Sequence, residues 1–131
     1  MASTVLLNGS GQYASFKLDG TVALAFSPVA LATDGDVDVA GDGAQTIGII
    51  EEVGVAGDTC RVCIGGVTYA RISTGTINAG VAVSSAGSGY VDAAADGGAV
   101  VGWTLASATG VDSLVPIVIN PGGPCIANVV V

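Results

Sequence analysis

Thr59-Cys60-Arg61-Val62-Cys63-Ile64, then Gly65-Gly66, then Val67-Thr68-Tyr69-Ala70-Arg71-Ile72 is the stretch whose reading decides the fold. Two short runs rich in Val, Ile, Thr and small apolar residues stand either side of a glycine pair, and neither carries a helical period. They read as strands, since β-branched residues fit a pleated surface and a glycine pair admits the positive φ of a tight turn. The pattern continues in both directions. It predicts strands over residues 12–17, 22–26, 29–32, 37–40, 46–52, 59–64, 67–72, 80–84, 90–93, 99–105 and 114–119. Asp34-Gly35, Gly41-Asp42-Gly43, Gly57-Asp58, Ala86-Gly87-Ser88-Gly89 and Gly97-Gly98 bound them. Turns at this spacing belong to an all-β class, a small β-barrel or β-sandwich.

The length of 131 residues is that of one domain, large enough to hold a core without disulfides or metal. The expected division is an N-terminal arm over 1–18, a β domain over 19–120 and a C-terminal tail over 121–131. The arm carries Leu6, Leu7, Tyr13 and Phe16; the tail follows Pro121-Gly122-Gly123-Pro124 and ends in Ile126, Val129, Val130 and Val131. Domain ends are usually polar, so apolar ones point to docking, either on the protein's own core or on a neighbouring subunit.

Half the residues are apolar and only 11% are charged, which leaves little polar surface to hold copies apart and points to an exterior covered by other subunits. The net charge of -8, with Lys17, Arg61 and Arg71 as the only basic residues, opposes binding to phosphate backbones. Nucleic acid is not an expected partner. Neither is a membrane, because no window approaches the roughly 20 consecutive apolar residues of a spanning helix. Met1-Ala2-Ser3-Thr4 lacks the positive start of a secretory signal, and three cysteines do not form a disulfide framework. Both features fit synthesis in a reducing cytoplasm.

Few motifs invite chemistry. Cys60 and Cys63 have the spacing of a zinc or redox pair, yet on a strand they face opposite sides, Cys60 with Val62 and Ile64, Cys63 with Arg61. Without histidine, and with Cys125 as the only other thiol, no four-ligand set exists. Asp34-Gly35-Asp36-Val37-Asp38 resembles the opening of a calcium loop, but Val39 and Gln45 stand where that loop needs Gly and Glu. It reads as an acidic turn. Adjacent Glu51 and Glu52 point to opposite faces of a strand, and a chain without histidine has no Ser-His or Cys-His pair. No catalytic residue, cofactor or metal is expected. Trp103, the only tryptophan, is expected in the core or at a subunit contact.

Ile47-Gly48-Ile49 lies over Val101-Gly102-Trp103 at an offset of 54, which puts Asp58 on Asp112 and Val62-Cys63-Ile64 on Pro116-Ile117-Val118. The alternatives are two hairpin-like units or chance likeness between Gly- and Val-rich segments. From about residue 20 to 119 the chain also resembles the capsid cement, or head decoration, proteins of tailed bacteriophages. The likeness lies in Thr46-Ile47-Gly48-Ile49, Ala56-Gly57-Asp58, Asn78-Ala79-Gly80-Val81, Gly89-Tyr90-Val91 and Val100-Val101-Gly102-Trp103, in that order. It implies a small β domain, often trimeric, on the outer surface of the virion head, where it clamps the major capsid protein and stiffens the shell. The arm and the Pro-Gly-Gly-Pro tail depart from the family. No catalytic or ligand residue carries over. The expected capsid or inter-subunit contacts are therefore the arm and tail residues named above. The competing class is a virion module for host or carbohydrate recognition.

Overall fold

The computed structural model describes residues 11–95 and 97–119. Its strands are β1 (Gln12–Lys17), β2 (Ser27–Leu31), β3 (Val37–Val39), β4 (Gly48–Ile50), β5 (Thr59–Gly65) and β6 (Val67–Arg71). They continue with β7 (Thr76–Ile77), β8 (Ala82–Gly87), β9 (Tyr90–Ala93), β10 (Val100–Thr104), β11 (Ala108–Thr109) and β12 (Leu114–Ile119). No helix occurs among the described residues. The all-β class expected from the turn spacing is what the chain adopts.

Two five-stranded antiparallel sheets have orders β1-β5-β4-β2-β3 and β6-β12-β10-β8-β9. Each curls on itself through one parallel bridge, Leu18 to Val37 in the first and Ile72 to Val91 in the second. Both ends of those bridges differ by 54, and the rest of the fold repeats at that step. Pro28 opposite Ile49 recurs as Ala82 opposite Trp103, and Ala30 opposite Asp38 as Ser84 opposite Asp92. Positive φ recurs at Gly35 and Gly89, at Gly43 and Gly97, and at Phe26 and Gly80. The internal repeat is real, and each unit is a whole five-stranded sheet rather than a hairpin.

One detail of the repeat changes. Ile49 pairs with Cys63 while Trp103 pairs with Val118, so the last strand of the second unit is displaced by 55. Asp58 therefore corresponds to Ser113, and Val62-Cys63-Ile64 to Ile117-Val118-Ile119. The expected strand over 22–26 reduces to a single bridge from Val22 to Gly54, because Phe26 sits at φ 61 and cannot continue an extended chain. Its counterpart in the second unit is the short β7–β11 ladder, with Thr76 opposite Thr109.

The cores follow the same division. Leu18, Val22, Val29, Val37, Ile50, Cys60 and Val62 fill the first unit. The second core contains the counterparts Ile72, Val83, Val91, Val115 and Ile117, and it also takes Ile49 and Cys63 from the first unit. Burying a side chain the size of Ile49 contributes about 1.5–3 kcal/mol. The joint is sealed by Phe26 packed edge-on against Tyr69, with centroids 5.8 Å apart. Ser85 Oγ donates to Ala40 O at 3.0 Å, and Gly43 N–H donates to Ser85 O at 2.8 Å.

Gly48 and Gly102 hold equivalent places where β4 and β10 meet β5 and β12. A Cβ at Gly48 would run into the backbone carbonyl of Cys63, and one at Gly102 into that of Val118. Backbone cannot yield as a side-chain tip does, so Gly48→Ala and Gly102→Ala each destabilise the fold by about 2–3 kcal/mol. Gly41→Ala meets open space and stays within about 0.5 kcal/mol of wild type. Chemical denaturation midpoints of the three variants check this.

Candidate functional site

Of the expected contact residues, the structure describes Tyr13 and Phe16, both on β1; Leu6, Leu7, Ile126, Val129, Val130 and Val131 lie outside the described residues. β1 pairs with β5 along its whole length, and Phe16 packs half-buried against the first core. Tyr13 turns the other way and is 37% exposed. Its hydroxyl donates to Glu51 at 3.1 Å, and the Arg61 guanidinium lies over its ring, 4.7 Å from the centroid. Burial, then the Glu51 charge, raises the Tyr13 pKa, which keeps the phenol a neutral donor.

Glu51 also accepts from Thr68 Oγ1 at 2.5 Å, so one carboxylate joins the arm strand to the second unit. Thr68 is buried and its role in this joint carries no local sequence signal. β4 ends at Ile50, and strand alternation no longer separates Glu51 from Glu52: both line one shallow cavity of about 190 Å3 with Arg61. Glu52 accepts the Arg61 backbone N–H at 3.1 Å. The carboxylates are thus occupied in holding chain segments together.

Cys60 and Cys63 enter different cores, as their spacing on a strand requires. Burial pushes both thiols above their ordinary value of 9.0, so neither is a poised nucleophile. Ile64, next after Cys60 and Val62 on the same side of β5, lies past the end of the first core. Gln12 faces Gly65 and Tyr13 faces Cys63, so the pairing skips Ile64, which is left 41% exposed.

In the acidic turn, Asp34 Oδ1 accepts the Asp36 N–H at 3.0 Å, a local turn bond. Asp19 joins them across the Leu18–Val37 bridge, bringing three carboxylates within 4.8 Å of one another. Asp38 instead accepts from the Val39 N–H. A second acidic place is a cleft of about 450 Å3 where Asp42 meets Asp92 beside Ser84 and Gly98. Burial, then the Asp42 charge, raises the Asp92 pKa.

Trp103 belongs to neither core. It lies half-buried on the outward side of the second sheet, opposite Val118 on one neighbour and Ala82 on the other. Val67 stands beyond Val118, which completes a row across four strands without a charge.

No protein-family model matches the chain, and no curated protein matches its sequence. A solved structure does: the N base of the head fibre gp8.5 of bacteriophage phi29, with a TM-score of 0.67 and 17% identity. The match covers 83% of this chain and 93% of that one, more than either unit alone, so it takes in the tandem. At that identity the likeness is one of fold.

Two outcomes follow. Both buried thiols favour the protonated form in the fold, so their stabilisation is complete below pH 9.0 and is lost as pH rises through their higher folded values. In a Cys125→Ser background, thiol titration finds neither group reactive until denaturant is added, and Tm falls once the pH exceeds 9.0. Asp92, raised above 3.8, likewise stabilises only when protonated, and its charge opposes folding at neutral pH. Asp92→Asn raises Tm at neutral pH and has no such effect below pH 3.8, as thermal melts at the two conditions will register.

Proposed function

We propose that this chain is a structural accessory protein of a tailed-phage head, binding the outer surface of the shell and stabilising the major capsid protein. The observation that carries the reading is the likeness of the whole tandem, across 83% of the chain, to the base of a phage head fibre. Low charge, an apolar outer row and cysteines sunk in two cores suit a protein whose work is contact. Many copies on one shell would sum modest individual contacts into a large stabilisation. The partner is the major capsid protein, met by surface shape, with no cofactor and no catalytic step. Arm and tail residues, among them Leu6, Leu7, Ile126 and Val129, supply the attachment.

The fibre-base neighbour also favours a second reading, in which the tandem anchors a projecting module and leaves shell strength unchanged. Cosedimentation with heads of the cognate virus, followed by thermal challenge of the shells, separates the two. Saturable binding at a fixed ratio with a raised disruption temperature is the expected result. Binding without that rise supports the anchor, and absence of binding to both expanded and unexpanded heads sinks both readings. The informative truncations remove residues 1–10 or 122–131, since cutting further would take β1 out of its sheet. Each lowers head occupancy while the melting transition of the domain persists.

A further inference from the structure

The two units meet by unlike faces. In the first sheet, Cys63, Ile49 and Pro28 form an outward row, and all are buried, with Ile49 and Cys63 at 0% exposure inside the second core. The equivalent row of the second sheet, Val118, Trp103 and Ala82, with Val67 beside it, is half-exposed throughout. A two-fold arrangement would bury both rows alike, so the joint is head-to-tail.

The receiving side is unlike in the same sense. Thr68, Ala70, Val101 and Ile119 of the second unit are buried where the first unit seats. Their counterparts Ala14, Phe16 and Ile47 are half-exposed, and Ile64 is exposed. Among the described residues, the tandem therefore ends in one uncovered apolar row and one uncovered apolar seat, the two halves of a joint that the chain already makes once within itself.

We propose that the row of Val67, Val118, Trp103 and Ala82 docks a second copy of this chain at the seat formed by Ala14, Phe16, Ile47 and Ile64. The joint between copies repeats the joint between units. Trp103 in the place of Ile49 supplies the large aromatic anchor on which interfaces concentrate their energy. A head-to-tail contact closes into a ring where its rotation allows and otherwise extends as a filament. The proposal needs no capsid and stands whether or not the protein binds heads.

The test is sedimentation velocity of the full chain across a concentration series, read together with fluorescence of Trp103, the single tryptophan. The mass rises above that of one chain, and the emission moves to shorter wavelength along the same isotherm. Trp103→Glu removes the row and Ile64→Glu the seat, and each variant alone sediments as one chain. Their equal mixture retains one intact row and one intact seat, and it stops at a two-chain species. Circular dichroism establishes that each is folded, and Ala82→Arg replaces Trp103→Glu if that variant is not. A wild-type chain that stays single at all concentrations overturns the proposal, as does a mixture that fails to pair. Loss of residues 122–131 that red-shifts Trp103 in a single chain assigns the row to the protein's own tail and overturns it equally.

Discussion

The structure depends on one burial, that of Ile49 and Cys63 from the outer side of the first sheet within the core of the second unit. Each unit spans little more than 50 residues of short strands, near the size at which a single core is marginal, so neither has apolar volume to spare. The connection enforces the joint. β5 ends at Gly65 and β6 begins at Val67, with Gly66 at φ 82 between them, and the chain passes from one sheet to the other without a loop. Polar groups close the seam around the apolar centre, with Glu51 taking the Thr68 hydroxyl on one side and Ala40 and Gly43 engaging Ser85 on the other.

Much of this was legible in residue order. Runs of β-branched residues between glycine and aspartate marked β1, β9 and β12 at their observed bounds, because there the local pattern and the ladder agree. The repeat surfaced through Gly48 and Gly102, which are constrained by a neighbouring carbonyl and so stay visible while the side chains around them drift. Its displacement in the last strand was not legible, since one added residue in a connection leaves no periodic mark. Nor were β7 and β11, two residues each, which exist only because the curl of the sheet brings Thr76 against Thr109. A glycine pair between two strands also reads the same whether they form a hairpin or, as here, enter different sheets.

The candidate site was legible by residue type and not by address. Tyr13 stands out as an aromatic near an end, but Glu51 and Arg61 reach it from the turn after β4 and from β5, and Thr68 of β6 joins only through Glu51. Asp34 and Asp36 are neighbours in sequence, while Asp19 joins them only through the bridge that curls the sheet. Trp103 posed the hardest case. A buried centre and an outer surface can both hold a large apolar ring, and only the register, which sets Trp103 opposite Val118 on the outward side, takes it out of the core.

A tandem of like units always has one joint fewer than it has units, so among the described residues a row and a seat are left uncovered at its ends. Repeat proteins that live as single chains cover those ends with polar caps. Here several of the acidic residues behind the charge of -8 lie in turns, with Asp34, Asp58 and Asp112 all exposed there. Val118 and Trp103 remain on one terminal face and Phe16 and Ile64 on the other. Charge at the turns keeps solvent around the flanks of the molecule and resists sideways pairing of sheet edges. It does nothing to hydrate the two ends, and the cheapest cover for each is the surface the other already matches.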